Sequence, residues 1–308
     1  MTKLSLYLKL IRLDKPIGIL LLLWPTLWAL WLAASHFKLS IDSPAFIELF
    51  SVFLLGTILM RSAGCAVNDI ADRNFDTHVQ RTSQRVLATG AISVREALFV
   101  ATLCVLTAGS LALLYLNKLA ILLCIPAALI AAAYPFFKRF FAIPQAILGL
   151  AFGFGIPIAY AAIENKLPFD IVYLFLANFF WVLSYDTLYA MSDKPDDLKL
   201  GINTSAIFLG RYDALGAVLF KLFFYGLLSV VLFINKVGLI VWVGFFISII
   251  YSARLLYCLF QAKRNMASDS LSFRTLCLDI FLKNSHIGLI IWLSLMLDSF
   301  KITLFSKV

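Results

Sequence analysis

Nine separate apolar stretches, each long enough to cross a bilayer, constrain this chain more than any other feature. They fall near residues 16–34, 45–67, 96–116, 119–137, 143–163, 170–190, 213–234, 237–258 and 285–305. A helix needs about 20 apolar residues to cross ~30 Å of hydrocarbon. Composition agrees: 62% of the 308 residues are hydrophobic and 14% charged, against roughly 45–50% and 25% in soluble domains. A soluble fold cannot hide that much apolar surface, and a disordered chain has the opposite balance. The expected fold is all-α and polytopic, a single membrane domain over residues 1–308. The run beginning at Pro16 is too long for a signal peptide and lacks a small-residue cleavage site, so it is expected to remain as a helix. Pro126 and the Gly153, Gly155 and Pro157 cluster fall inside spans, where membrane helices tolerate them and pack closely around them.

The formal net charge is +9, but the basic residues are scattered through short connections, with no nucleic-acid motif. Topology accounts for them. With the N-terminus inside, 18 Lys and Arg lie on inner segments or inner span ends, six on outer segments or outer span ends, and only Arg61 and Lys221 lie deep within spans. This positive-inside split supports nine spans, a cytoplasmic N-terminus and a periplasmic C-terminus. Residues 2–13 mix apolar and basic residues at helical spacing and are expected along the inner surface. Cys65, Cys104, Cys124, Cys258 and Cys277 show no CxxC spacing and are expected as buried thiols. The three histidines are too scattered for a zinc site.

Seven of the 17 acidic residues cluster in two places: Asp69, Asp72 and Asp76 at the inner end of the second span, and Asp186, Asp193, Asp196 and Asp197 at that of the sixth. Asn68, Asp72 and Asp76 are spaced by four, as are Tyr189, Asp193 and Asp197, and the two series are offset by 121 residues. Residues i, i+4 and i+8 share one helix face, so each series aims oxygen-bearing side chains in one direction. The repetition suggests two halves, each contributing one acidic helix end. Helix caps would not need the same four-residue spacing twice. Carboxylates this dense repel one another unless a cation compensates them. Oxygen donors without His or Cys point to a hard divalent ion, Mg²⁺ before Zn²⁺. Two such rows with Mg²⁺ between them suit a diphosphate, whose charge the metal spreads as it departs.

Lys138 and Arg139 after the fourth span, with Arg73, Arg81 and Arg85 around the first acidic series, are the expected diphosphate-binding cations; they also serve as topology determinants. Guanidinium groups match phosphate oxygens bidentately. Arg61 stands apart. It lies seven residues before Asn68 on the same helix face, within an apolar span where an unpaired charge is costly. It is expected to face an internal cavity and hold an anionic substrate group, the alternative being a structural partner for a nearby acid.

These motifs resemble the paired signatures of the UbiA family of intramembrane aromatic prenyltransferases. So do Leu13-Asp14-Lys15-Pro16-Ile17-Gly18, the segment Leu23-Trp24-Pro25-Thr26-Leu27-Trp28-Ala29-Leu30-Trp31, Arg61-Ser62-Ala63-Gly64-Cys65, Tyr134-Pro135-Phe136-Phe137-Lys138-Arg139 and Lys199-Leu200-Gly201-Ile202. The resemblance covers residues 8–215 closely and the remainder mainly in helix count. One departure is Arg85-Val86-Leu87, where the family often has Arg-Pro-Leu; it is expected to loosen that loop without removing a ligand.

The resemblance implies nine helices around a central cavity, capped by two motif loops on the cytoplasmic face of a bacterial inner membrane. It implies transfer of a polyprenyl group from polyprenyl diphosphate to the ring carbon ortho to the hydroxyl of 4-hydroxybenzoate, in ubiquinone biosynthesis. The expected metal ligands are Asn68, Asp72, Asp76, Asp193 and Asp197. Asp186 or Asp69 is expected to orient or activate the phenol, with Tyr189 offering its ring face to an allylic cation. Haem, naphthoate or homogentisate as acceptor would share both acidic motifs. A cation-coupled transporter would place its acids at the midplane rather than at one face.

Overall fold

A computed structural model describes residues 2–77, 82–137, 139–267 and 270–305. Among them there is no strand; the elements are α1 (Lys3–Leu10), α2 (Ile17–His36), α3 (Pro44–Asp76), α4 (Val94–Tyr115), α5 (Lys118–Phe137), α6 (Pro144–Gly153), α7 (Gly155–Glu164), α8 (Ile171–Leu200), α9 (Ser205–Phe208), α10 (Asp213–Ile234), α11 (Leu239–Asn265) and α12 (Leu271–Phe305). Among the described residues nine spans of membrane length and apolarity result, α6 and α7 together forming the fifth.

Local chemistry sets the boundaries. Ser93 and Glu96 close a capping box at the start of α4, satisfying two orphan amides reciprocally. Gly201, at φ 66°, ends α8 in the left-handed conformation that glycine adopts without a Cβ penalty. The fifth span breaks at Phe154, between Gly153 and Gly155. There α7 lies so close to α2 that a Cβ on Gly155 would overlap the Thr26 side chain.

α2 forms the centre of the bundle. Its apolar window is 78% buried, whereas that of α5 is 11% buried and turned outward. The tryptophans explain the difference. Trp28 packs against Trp181 of α8 in a tilted pair with ring centres 5.0 Å apart, and its indole donates to the Gly288 carbonyl at 3.0 Å. Trp24 donates to Ser285 Oγ at 2.9 Å. Large rings that also find a partner for their N–H suit a buried helix junction, and these pin α2 against α8 and α12. Outward residues such as Phe99, Leu114, Phe233 and Leu239 are exposed, as a lipid-facing surface requires.

Polar contacts gather one end of the bundle. Arg12 before α2 reaches Asp69 near the end of α3, and Arg139 after α5 donates to the Ala71 carbonyl. Arg274 near the start of α12 reaches Asp196 near the end of α8. Lys263 near the end of α11 pairs with Asp213, which begins α10. Successive spans therefore alternate in direction, and both acidic series emerge at this end. At the opposite end Asn117 caps the last turn of α7 through the Ala161 and Ala162 carbonyls.

Three expectations need adjustment. The two caps that the resemblance implied as loops are helix ends, and the acidic residues lie on helices as their spacing predicted: α3 runs 33 residues and α8 30 residues, roughly 50 and 45 Å at 1.5 Å per residue, so both outrun the hydrocarbon. Cys65 and Cys277 are buried, but Cys258 is exposed on α11. The loop lacking the family's proline is secured by packing, because Val86 and Leu87 are buried with Leu10, Ala66, Ile92, Ala97 and Ala101.

Candidate active site

The site is built in the space between α3 and α8 and at the two helix ends beyond it. Deep in that space Tyr185 of α8 lies within electrostatic reach of its neighbour Asp186, of Arg61 on α3 and of Tyr134 on α5. The Tyr185 hydroxyl and Arg61 Nε are buried and lack hydrogen-bond partners among the described residues. The Arg61 guanidinium stands 5.6 Å from the Phe152 ring centre. It also presses on α2, where a Cβ on Gly18 would come within 2.8 Å of two guanidinium nitrogens. Glycine is what lets the helix approach this charge. A cation with aromatic walls and an orphan donor suits an anionic, ring-bearing ligand.

Seven residues separate Arg61 from Asn68, and seven separate Asp186 from Asp193. The two helices run in the same sense, so Asn68 and Asp193 both lie roughly 10 Å beyond this level. Neighbouring elements reinforce α8 there: Thr187 and Ser205 share a hydroxyl hydrogen bond of 2.8 Å, and the Ser205 amide donates to Gln145 Oε1. Tyr189 packs its ring 4.9 Å from Phe281.

At the end of α3, the Asn68 side-chain amide donates to Asp72 at 3.0 Å. Asp69 is 1% exposed and accepts from Arg12 Nη2 at 2.8 and 2.9 Å. Arg85 Nη1 lies 3.2 Å from Asp69 and 2.8 Å from Asp76. Arg73 is exposed beside them. Arg81 and Lys138 lie outside the described residues.

At the end of α8, Asp193 is buried beside Ser192. Arg274 donates to the Ser192 carbonyl at 2.7 Å and to Asp196 at 2.6 Å. Lys194 turns from the acids to the Gly210 carbonyl and Asp213. Asp197 is half-buried on the same turn.

Among the described residues no three His, Cys, Asp or Glu side chains stand together as a closed metal cage. The donor set is nonetheless carboxylate and amide oxygen throughout. Mg²⁺ characteristically takes one or two carboxylates and completes its shell with water and substrate phosphate, so these residues fit a metal that arrives with a diphosphate.

Arg12, Arg274 and Tyr185 belong to this constellation and were not singled out from sequence. Tyr185 adjoins the acid Asp186, which is a usable signal. The Arg12–Asp69 and Arg274–Asp196 partnerships, 57 and 78 residues apart, leave none.

Comparison with known proteins follows the same outline. Residues 22–278 match the sequence profile of the UbiA prenyltransferase family. A 4-hydroxybenzoate octaprenyltransferase of Nitrosospira multiformis is 48% identical over 295 residues, covering 95% of this chain and 94% of that protein. One of Janthinobacterium sp. (strain Marseille) is 59% identical over 214 residues, 69% of this chain and 72% of the relative. Among solved structures, a UbiA homolog from Aeropyrum pernix K1 aligns with a TM-score of 0.72 at 23% identity, over 91% of this chain and 97% of that one. A UbiA homolog from Archaeoglobus fulgidus, solved bound to GPP and Mg²⁺, aligns at 0.66 and 20% identity, over 93% and 99%.

Proposed function

The chain belongs to the UbiA prenyltransferase family, and on that premise we propose that it transfers a polyprenyl group from polyprenyl diphosphate to 4-hydroxybenzoate. The product is 3-polyprenyl-4-hydroxybenzoate, an intermediate of ubiquinone biosynthesis. The observation that carries this reading is the convergence of Arg61, Tyr185 and Asp186 roughly two helix turns below two acidic helix ends. Such a layout separates a site for a small aromatic anion from a site for a diphosphate.

Asn68, Asp72 and Asp76 on α3, with Asp193 and Asp197 on α8, would hold Mg²⁺. When bound, the metal spreads the diphosphate charge and makes it a better leaving group. Arg139 and Arg85 neutralise the remaining phosphate charge, with Lys138, Arg73 and Arg81 assigned the same role by their place in sequence. Arg61 holds the acceptor carboxylate, which orients the ring with its hydroxyl toward the motif end. Asp186 is the residue placed to orient or deprotonate the phenol. Asp69, enclosed by Arg12 and Arg85, organises the first helix end instead. Tyr189 turns a ring face toward the cation that develops at C1. The ring carbon ortho to the hydroxyl forms its bond to C1 as the C1–O bond breaks, and the ring then loses a proton. Apolar walls exclude the water that would otherwise capture the cation.

The protein is an integral membrane protein. We place it as one domain in a bacterial inner membrane, built from two related halves, with the motif end facing the cytoplasm and the C-terminus periplasmic. Its cationic loops follow the positive-inside pattern. The direct test supplies membranes containing the chain with octaprenyl diphosphate, Mg²⁺ and one acceptor at a time, and analyses products by mass. Prenylated 4-hydroxybenzoate is expected; a product from naphthoate or homogentisate alone would overturn the assignment.

A further inference from the structure

We propose that Arg12, in the surface segment between α1 and α2, is a positioning residue for the diphosphate end of the site, acting through Asp69 to set the place of Arg85. The inference rests on the prenyl-transfer reading above but concerns a residue outside both acidic motifs.

Arg12 is held from three directions. Leu10, two residues earlier, is fully buried against the α3 face that carries Ala66 and against Val86 and Leu87 of the loop carrying Arg85. The Arg12 backbone is left-handed, at φ 59°, an unfavourable conformation for a residue with a side chain. Its guanidinium then donates from Nη1 to the Lys9 carbonyl at 2.8 Å and from Nη2 to both Asp69 oxygens. A strained backbone retained beside a satisfied guanidinium indicates that the contact, not local propensity, selects this geometry.

Charge balance gives the contact its consequence. Arg12, Asp69, Arg85 and Asp76 form a chain of alternating sign, with Arg85 Nη1 3.2 Å from Asp69 and 2.8 Å from Asp76. Asp69 is almost wholly enclosed, and a buried carboxylate deprived of one cation draws strongly on the other. Without Arg12, Arg85 would be pulled onto Asp69 and away from Asp76, the outermost residue of the first acidic series. Arg12 thus holds Arg85 in its place between Asp69 and Asp76, at the end where the diphosphate arrives.

The left-handed backbone supplies a clean variant. Glycine prefers that conformation, so Arg12→Gly removes the guanidinium while relieving the main chain. The experiment measures thermal stabilisation of the purified full chain by Mg²⁺ with inorganic pyrophosphate, alongside KM for octaprenyl diphosphate and for 4-hydroxybenzoate. In Arg12→Gly the pyrophosphate concentration for half-maximal stabilisation should rise about tenfold, as expected for one charge-assisted contact. Donor KM should rise in parallel, while acceptor KM stays within about twofold. Arg12→Lys keeps a point charge without the planar fork and should recover part of the loss. Added to Arg85→Ala, Arg12→Gly should cost little more, because both act on one contact. Unchanged pyrophosphate dependence in a folded Arg12→Gly protein, or full additivity with Arg85→Ala, overturns the inference. Should the wild-type chain fail to prenylate 4-hydroxybenzoate, the functional reading falls, while the stabilisation measurement still decides the role of Arg12.

Discussion

At the end of α3, Arg12 and Arg85 pair with Asp69 and Asp76; at the end of α8, Arg274 and Lys194 pair with Asp196 and Asp213. The first arrangement includes Asp76, a member of the series spaced by four. Asp196 and Asp213 fall outside the corresponding series of Tyr189, Asp193 and Asp197. The frame and the donors therefore overlap on α3, whereas on α8 a framing acid can be changed without deleting a donor oxygen. Two helix ends alike in spacing are supported by different means, and substitutions should separate support from chemistry on α8 more readily than on α3.

The largest effects should come from the donors themselves. Asp72→Ala and Asp193→Ala should each lower turnover by about 10²–10³, the range for losing one preorganised electrostatic contribution to a transition state. Near-equal losses in membranes supplied with both substrates and Mg²⁺ would mark the two rows as one site. A loss confined to one variant would break the equivalence of the two ends.

Next come the braces. Arg274→Ala removes the contacts to the Ser192 carbonyl and Asp196 while leaving Asp193 and Asp197 in place. A fall of about tenfold in kcat/KM is expected, in the range found when groups supporting metal ligands are removed. Raised Mg²⁺ should recover part of it. Arg85→Ala should cost more, since it strips a cation from the site as well as from its frame. If Arg274→Ala proved as damaging as Asp193→Ala and Mg²⁺ gave no recovery, the distinction between frame and donor on α8 would be lost.

How much of this was legible beforehand follows from the physics of each feature. The spans could be located because apolar length is a local property: the run predicted at 16–34 is α2, and that at 119–137 is α5. The expected ends of the second and sixth spans and the expected start of the ninth fell short because α3, α8 and α12 extend into polar sequence, where hydropathy is silent but the hydrogen-bond ladder persists. The four-residue spacing of both acidic series predicted their placement on helix faces. Arg61 could be singled out because a charge inside an apolar run is costly. The framing partners were not legible. Arg12 was counted as a topology charge, and nothing local distinguishes it from Lys9 or Lys15; only the fold brings it to Asp69. Arg274, 78 residues from Asp196, is the same case on α8.

The deep level between the two helices offers a subtler probe. Gly18→Ala places a methyl where the Arg61 guanidinium stands, 2.8 Å from Nε and Nη2, so the cation must shift by a few tenths of an ångström. Acceptor KM should rise by about threefold to tenfold, the cost of misaligning one charged contact. Donor KM and Mg²⁺ dependence should not move, because both helix ends lie roughly 10 Å away. A donor effect as large as the acceptor effect would show that Arg61 is not specific to the acceptor and would merge the deep site with the motif end.

The smallest effect is expected at Lys3. Its ammonium lies 2.5 Å from Glu96 but is 70% exposed, and solvent-screened pairs of this kind contribute little. Glu96 also closes the capping box of α4 and accepts from the Tyr7 hydroxyl, so it remains held without Lys3. Lys3→Ala should leave the melting midpoint, kcat and donor KM unchanged within error, whereas Glu96→Ala should lower the midpoint through loss of the cap. The contrast bears on the α3 end alone, where α1 is anchored by buried Leu10 and by Arg12. Were Lys3→Ala to weaken donor use as strongly as Arg12→Gly, the total positive charge of the surface helix would be the operative property. The first acidic end would then owe its order to a diffuse field rather than to a chain of four ion-paired side chains.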